Sequence, residues 1–360
     1  MKKNHVAIII IVSVALSLIL NIFPGKIIVA KISTWPLLNR LKILSPQAPI
    51  VITNRETVRV SDAGDVLLAV NSVKSKLSAL VQVDVENNSL SVVGTAINLT
   101  SDGTFVTGSA ILSSDLWSYA VLLDDGRKAG ITEMATDPAT NLVFFKADIS
   151  NVPTASITAS GDLSAGDKVI FAQKSLQDSL IKILVSFVGS SQKDISSSQF
   201  KSDLPRRGFW AQAQGPLISG QAVVNMDGEV VGIWNGTEII SSDVLKKAIT
   251  LYFDNNQKIV RPSFGFTYRI VTSNESVLSP TTIEGAKVLS VSEGSAAAKG
   301  DLRAGDTIGS VGGTRVDENS SLEEALEKYK PGDEVSVGII RGGQWRGPEL
   351  NLTIKVGELK

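Results

Sequence analysis

The sequence contains no cysteine, which excludes disulfides, thiolate nucleophiles and cysteine metal sites. Histidine is almost absent as well: the single histidine, His5, lies beside two lysines at the start of an apolar N-terminal run. A zinc site would therefore need ligands that are nearly all carboxylates, which is unusual. We predict no metal and no cofactor, and no chemistry outside the N-terminal run that requires an imidazole.

An excess of charge of one sign is also lacking. The chain of 360 residues carries 35 Lys and Arg against 36 Asp and Glu, a formal net charge of -1, and it has no basic block. Sequence-independent binding to phosphate backbones usually needs a basic patch, so nucleic acid is not an expected partner. The hydrophobic content of 43% is close to that of globular proteins, and the length allows two or three domains.

One uncharged hydrophobic run stands at the N-terminus. It extends from Val6 to Phe23, long enough to cross a bilayer as a helix, and the lysines before it favour a cytoplasmic start. We predict a single-pass signal-anchor in residues 1–24, a proline-punctuated stalk in 25–60, and an extracytoplasmic location for the rest. A cleaved signal peptide is the alternative, but its hydrophobic region is typically shorter and no clear Ala-x-Ala site follows.

Beyond the stalk, the pattern changes from helical to β-like. Apolar residues at helical spacing predict a short amphipathic helix over Asp62 to Leu80. Short apolar runs separated by turn residues then predict an all-β barrel or sandwich up to about Phe253. Two Asp-Gly turns, at Asp125-Gly126 and Asp227-Gly228, are strong hairpin signals. The polar, serine-rich stretch 190–207 is predicted to be an exposed, mobile loop.

A smaller unit follows a linker at 255–262. Its pattern predicts strands, a short Ala-rich helix at Ser295 to Lys299, and a second helix that ends at Tyr329. Ser320 and Glu323 form a capping-box pattern at the start of that second helix. The unit has about 95 residues, the size of a small domain.

Three collinear segments carry a family resemblance: Gly94 to Ile111, Asp137 to Val143, and Leu217 to Asn225. They resemble the catalytic stretches of the HtrA-type, trypsin-like serine proteases. In this resemblance Ser219 stands at the position of the nucleophile, Ile111 replaces the catalytic histidine and Asn141 replaces the aspartate.

Without its base, such a serine is a weak nucleophile. Its hydroxyl must lose a proton during attack, and Ile111 has no proton acceptor. Even beside a histidine, an aspartate-to-asparagine change costs about ten-thousandfold in rate. Leu217 also replaces a glycine whose N–H would point into the oxyanion hole. A structural hydroxyl is therefore the favoured interpretation of Ser219, and a serine–lysine dyad with Lys146 is the one alternative catalytic arrangement that the sequence suggests.

The C-terminal unit resembles a PDZ domain. Ser263 to Phe266 resembles the carboxylate-binding loop, Gly294 to Ile308 the helix-turn signature of HtrA PDZ domains, and Ser321 to Leu326 the helix that follows. The resemblance implies that a peptide adds as a strand beside the one after Phe266, with its terminal carboxylate at the loop. The predicted peptide-binding residues are Phe264, Gly265, Phe266, Leu322 and Leu326.

These patterns predict a mostly β protein: a trypsin-like double β-barrel at 61–255 and a PDZ domain at 262–357, preceded by one transmembrane helix. The favoured function is a membrane-anchored, catalytically inactive HtrA-like homologue that binds peptides or misfolded-protein C-termini as an adaptor, chaperone or protease regulator. The expected assemblies are a homotrimer or a complex with active HtrA proteases. An active endopeptidase that uses Ser219, and a structural trimer component of an envelope complex, are the alternatives.

Overall fold

The computed structural model describes residues 63–84, 89–109, 119–175, 181–190, 199–205, 209–211, 215–273, 283–317, 320–342 and 349–359. The predicted anchor and stalk, and the triad-position residue Ile111, lie outside these residues. Within the described ranges, which begin at residue 63, no helix is both long and apolar enough to cross a membrane.

The first part of the chain is a helix followed by a closed six-stranded antiparallel barrel. The strands follow one another around the barrel in the order β1-β2-β3-β6-β5-β4. Its core contains the stacked rings of Phe105 and Phe145, 5.2 Å apart. The elements are α1 Ala63–Lys74, β1 Leu77–Asp84, β2 Ser89–Asn98, β3 Thr104–Gly108, β4 Tyr119–Leu122, β5 Lys128–Asp137 and β6 Leu142–Ala147.

A second β unit follows. Six of its seven strands form one antiparallel sheet in the order β10-β8-β7-β11-β12-β13, and the helix Ser242–Asp254 buries Leu245 and Tyr252 in the neighbouring core. A 3-10 turn, Ser160–Asp162, precedes the sheet. The elements are β7 Lys168–Lys174, β8 Ile181–Ser190, β9 Phe200–Lys201, β10 Trp210–Ala211, β11 Ala222–Val224, β12 Val230–Trp234, β13 Ile239–Ser241 and α2 Ser242–Asp254.

The C-terminal unit is a small sheet with two short helices around one core. The main sheet has the order β20-β19-β17-β16-β15-β9, so its edge strand β9 comes from the preceding unit. The elements are β14 Pro262–Ser263, β15 Phe266–Val271, β16 Gly285–Val291, α3 Ala296–Lys299, β17 Thr307–Val311, β18 Thr314–Arg315, α4 Leu322–Leu326, β19 Glu334–Ile340, β20 Glu349–Lys355 and β21 Gly357–Glu358.

The mostly β prediction is confirmed, and so are both Asp-Gly hairpins. Gly126 and Gly228 have φ values of 86° and 77°, and they connect the paired strands β4–β5 and β11–β12. The first barrel is closed as predicted. The second predicted barrel is, in the described residues, a six-stranded sheet.

Two predicted helices have wrong boundaries. The first helix ends at Lys74, not Leu80, because Leu77 to Val81 is buried on both faces as a strand that pairs with β2 and β4. The second predicted helix is α4, which ends at Leu326 and is capped by Ser321, whose Oγ accepts from the Glu324 N–H at 3.1 Å. Glu323 faces the core instead, where it accepts a hydrogen bond from the Tyr268 hydroxyl.

The prediction of an exposed, mobile loop at 190–207 is also wrong for part of its length. Residues 199–205 lie along the edge of the C-terminal sheet, where β9 pairs antiparallel with β15. Ser202 is only 4% exposed. The prediction failed because a strand that pairs with another domain needs no hydrophobic periodicity of its own.

A buried ion pair joins the linker to the first barrel. The Arg261 guanidinium donates from Nε to Asp137 Oδ1 at 2.6 Å and from one terminal nitrogen to Oδ2 at 2.7 Å. Both side chains are almost inaccessible to solvent. The Thr140 hydroxyl and the Ala139 N–H also donate to this carboxylate, at 2.6 and 3.1 Å. Such a bidentate, fully hydrogen-bonded geometry is the kind that offsets the desolvation of two charges.

We expect Arg261→Met to destabilise the protein by about 3–5 kcal/mol, because the substitution leaves the Asp137 carboxylate buried without its partner charge. Urea denaturation followed by tryptophan fluorescence measures the loss. Arg315→Met is the matched control: Arg315 pairs with Glu284 at 2.8 Å but its side chain is 68% exposed. Its loss should be within about 1 kcal/mol. Similar losses in the two variants would contradict the assignment of the Arg261 pair as a structural constraint.

Candidate functional site

The loops that carry two of the three triad-position residues meet between the two β units. The Ser109 N–H, just after β3, donates to the Asn141 carbonyl at 2.8 Å. The Asn235 side chain, just after β12, donates to the Thr140 carbonyl at 2.8 Å. Ser219 lies against Gly108 in the same region. The structure therefore brings Asn141 and Ser219 to the meeting point of these loops, as the family resemblance implies.

Ser219 is a buried serine in a tightly packed place. The residue is 7% exposed, and its Oγ has no hydrogen-bond partner among the described residues. A Cβ at position 108 would overlap that Oγ and would lie 2.8 Å from the Asn235 carbonyl oxygen. The Ser219 side chain fits in this place only because residue 108 is a glycine. Its hydroxyl is packed against protein atoms and is not exposed to solvent.

Two hydrogen bonds hold the backbone of the loop around Ser219. The Ile218 N–H donates to Gln221 Oε1 at 2.9 Å, and the Gly220 N–H donates to the Trp234 carbonyl at 2.7 Å. Gly220 has a φ of 81°, and a Cβ there would overlap Thr95 and Thr107. Gln221 is 2% exposed, so its amide serves the loop and not a ligand in solvent.

Asn141 has a structural role in the turn between β5 and β6. It adopts a φ of 53°, a left-handed conformation that asparagine tolerates better than most residues. Its N–H donates to the Asp137 carbonyl at 2.9 Å, while the residue as a whole is exposed. The side chain carries an amide, which cannot supply the negative charge that an aspartate gives to an imidazolium.

Neither lysine near this region is placed as a base. Lys146 pairs with Asp102 at 2.6 Å, and it lies four residues along β6 from Leu142, about 13 Å along an extended strand from the end that faces Gly108. The backbone of Lys174, a residue that was not a sequence candidate, lies closer to the Ser219 loop. Its backbone N–H donates to Thr95 Oγ1 at 2.9 Å. Burial lowers the pKa of the Lys174 ammonium, and the hydrogen bond that it donates to Asp124, at 2.6 Å, opposes that effect.

The predicted carboxylate-binding loop is the second candidate site. Gly265 has a φ of 76° and approaches Ser295 so closely that a Cβ would lie 2.5 Å from the Ser295 Cβ. This backbone turns the N–H groups of Phe264 and Gly265 toward one point, where both donate to Asp203 Oδ1, at 2.7 and 3.1 Å. The loop therefore binds a carboxylate, and here it is a carboxylate of the same chain.

The side chains predicted to bind peptide are mostly core. Phe264, Phe266 and Leu322 are 4% exposed or less and pack in the core of the C-terminal unit. Leu326 is buried too, but it borders a gap of about 20 Å³ beside Ser202 and Asp203. Ser202 and Asp203 were not predicted as site residues, because a Ser-Asp pair in a polar stretch gives no indication of a partner such as Ser263, 60 residues away.

Comparison with protein families and known proteins gives consistent results. The family model for the PDZ domain matches residues 253–356. Similar proteins include a probable periplasmic serine endoprotease DegP-like of Halomonas elongata, 24% identical over 280 residues, and one of Pseudomonas putida, 28% identical over 283 residues. Each alignment covers 74% of this chain and 56% of the relative, so the chain spans about half the length of these relatives.

Solved structures show the same fold. An HtrA-type protease AlgW with decapeptide has a TM-score of 0.61 at 18% identity, covering 81% of this chain and 98% of that one. A serine endoprotease from Yersinia pestis has a TM-score of 0.53 at 20% identity, covering 82% and 98%. Fold and matched domain together define a trypsin-like protease scaffold joined to a PDZ domain. Over about three quarters of its length, the chain is similar to the HtrA/DegP serine proteases.

We expect Ser219→Ala to leave the stability unchanged or to raise it by about 1 kcal/mol, because it removes a buried hydroxyl that has no partner among the described residues. Equilibrium urea denaturation measures the change. Thr107→Val is the control, since the Thr107 hydroxyl donates to the Thr95 carbonyl at 2.8 Å and its removal should cost about 1–2 kcal/mol. A loss for Ser219→Ala as large as that of the control would show that the hydroxyl is hydrogen-bonded.

Proposed function

We propose that this chain is a catalytically inactive HtrA-type protease homologue that binds peptides or misfolded-protein C-termini through its PDZ domain, as an adaptor, chaperone or protease regulator. The observation that carries the proposal is the environment of Ser219. Its Oγ is buried against Gly108 without a hydrogen-bond partner in the described residues. The two other triad positions hold Ile111 and Asn141.

Catalysis by Ser219 would depend on the transfer of its hydroxyl proton. An alcohol attacks a peptide carbonyl only as its proton passes to a base. Isoleucine offers no acceptor, and the two lysines of the region are each hydrogen-bonded to an aspartate. The Ile218 N–H, which lies in the loop beside the nucleophile position, is already bound by Gln221. Among the described residues, no group is placed to take the Ser219 proton, whereas the PDZ loop binds a carboxylate.

The relatives and the N-terminal run support a proposed location and proposed partners. Two of the relatives are named as periplasmic proteins, and the run from Val6 to Phe23 has the length of a membrane anchor. We place the bulk of the protein outside the cytoplasm, tethered to the cell membrane. On the HtrA resemblance, a homotrimer or a complex with active HtrA proteases is the assembly in which it would act.

The alternative is an active serine endopeptidase that uses Ser219 with other machinery. The names of the relatives favour it, since they are serine endoproteases. The two functions differ in one measurable property, which is hydrolysis that depends on the Ser219 hydroxyl.

We expect the purified full-length chain in detergent to show no Ser219-dependent hydrolysis of fluorescently labelled casein, and no adduct with a fluorophosphonate probe, because the hydroxyl has no base. Wild type and Ser219→Ala should give equal rates. Ser241→Ala, which changes another buried serine, controls for non-specific effects. Turnover that is lost in Ser219→Ala alone, or a fluorophosphonate adduct on Ser219, would establish the endopeptidase and reject the proposal.

We expect Gly265→Ala to weaken the binding of C-terminal peptides from a random library by at least about 10-fold, because the added Cβ would meet Ser295 and turn the loop N–H groups away. Gly313→Ala is the matched control, because Gly313 has a φ of 78° but no atom within 4 Å of the added Cβ. It carries the same backbone strain without the clash. If the full-length chain retains no C-terminal peptide, the peptide-binding function is wrong.

A further inference from the structure

The edge of the PDZ sheet, where a peptide would add, is already paired with a strand of this chain. Lys201 lies opposite Thr267, and Phe200 lies opposite Tyr268, in an antiparallel register. The Ser202 N–H continues the ladder by donating to the Phe266 carbonyl at 3.0 Å. Addition of a strand at this edge is the way in which peptides bind such sheets.

The end of this strand reproduces the contacts of a peptide C-terminus. Asp203 Oδ1 accepts from the N–H groups of Phe264 and Gly265, and Oδ2 accepts from the Ser263 hydroxyl at 3.0 Å. The Phe266 N–H donates to the Ser202 hydroxyl oxygen at 3.2 Å. If the chain ended at Ser202, its terminal carboxylate would occupy the same place as these side-chain oxygens.

The strand is also fixed at both of its ends. Phe200 packs against the PDZ core, with its ring 5.6 Å from that of Tyr268. Leu204 and Pro205 border a gap of about 10 Å³ together with Ala139 and Val244 of the protease-like part. The segment therefore lies between the PDZ groove and the loop that carries Asn141.

We propose that residues 199–205 are the PDZ domain's own ligand, and that a partner peptide binds only by displacing this segment. The proposal rests on the peptide-binding function proposed above and adds two things to it. The groove takes internal segments in which an aspartate side chain follows the strand, as well as chain termini. The resting state of the protein is closed.

The expected size of the effect follows from competition within one molecule. The apparent dissociation constant of a peptide is its intrinsic value divided by the fraction of molecules with an open groove. A tethered segment competes at a high effective concentration, on the order of millimolar for a short linker. A groove that is closed in nine of ten molecules or more binds an external peptide at least about 10-fold more weakly than an open one.

The first test uses the absence of cysteine from the chain. The pair Lys201 and Thr267 is adjacent to the hydrogen-bonded pair Ser202 and Phe266, so it is a non-hydrogen-bonded pair with its Cα atoms about 4.5 Å apart. That distance suits a disulfide. The full-length double variant Lys201→Cys with Thr267→Cys should form an intramolecular disulfide on mild oxidation, detected by non-reducing electrophoresis and mass spectrometry.

The matched control is Lys201→Cys with Ser290→Cys. Ser290 lies opposite Thr267 on the far side of β15, two strand spacings or about 10 Å from Lys201, which is too far for a disulfide. We expect no intramolecular disulfide in this variant. Failure of the first pair to form one, or equal formation in both pairs, would overturn the proposal that the segment occupies the groove.

The second test measures competition. The probe is a fluorescent peptide, Ser-Ser-Gln-Phe-Lys-Ser, with the sequence of residues 197–202 and a free C-terminal carboxylate; its amidated form is the control ligand. We expect Asp203→Ala to bind the probe at least about 10-fold more tightly than wild type, and Asp148→Ala, at an exposed site, to match wild type. The oxidised Lys201→Cys, Thr267→Cys variant should not bind the probe until it is reduced.

The outcomes separate the two proposals. Equal affinity of wild type and Asp203→Ala for the probe would overturn the closed state and leave the peptide-binding function standing. If the disulfide forms in the expected pair but no variant binds the probe, the segment occupies the groove and peptide binding by displacement is overturned. Tighter binding by Asp203→Ala, together with the register-specific disulfide, supports both.

Discussion

The buried ion pair between Asp137 and Arg261 is the interaction on which the arrangement of this protein depends. Asp137 ends β5 and begins the turn that holds Asn141, while Arg261 directly precedes β14. Arg261 also borders the gap beside Ser202 and Asp203. One pair of charges thus joins the turn that holds Asn141 to the interdomain linker, next to the segment that pairs with the PDZ sheet. Because a buried charge without its partner is costly, this junction strongly disfavours other arrangements.

The loops that resemble the catalytic stretches of the family make structural contacts in this chain. The Asn235 side chain donates to the Thr140 carbonyl of a neighbouring loop, Gln221 accepts from the Ile218 N–H of its own loop, and Gly108 makes room for the Ser219 side chain. In a working site, these loops would leave a hydroxyl and two N–H groups available to a substrate. Here the available backbone donors are those of the PDZ loop at Phe264 and Gly265, and their acceptor is a carboxylate. The PDZ loop is therefore a place in this chain where backbone N–H groups bind a carboxylate.

The sequence predicted local features well and long-range pairing poorly. The Asp-Gly hairpins were correct because glycine at positive φ fixes a two-strand turn within a few residues. The first helix was extended to Leu80 because a strand buried on both faces has an apolar run that also fits helical spacing. The cap of α4 was placed one residue too early, at Ser320, because the inward hydrogen bond of Glu323 to Tyr268 was not visible in the pattern. At the candidate sites, Ser219 and the Phe264–Phe266 loop were found, but Asp203 was not.

The sequence by itself determined the mostly β character of this protein, its Asp-Gly hairpins and the chemical groups that it lacks. Residue identity alone excludes a thiol, and no fold can supply a proton acceptor that a side chain does not have. The family resemblance, and not residue identity, predicts that isoleucine and asparagine stand at two triad positions. Only the tertiary structure decided what the remaining groups contact: the packing of Ser219 against Gly108, the pairing of Asp137 with Arg261, and the capture of Asp203 by the PDZ loop. These contacts join residues 61 to 124 positions apart, and only the folded chain brings them together.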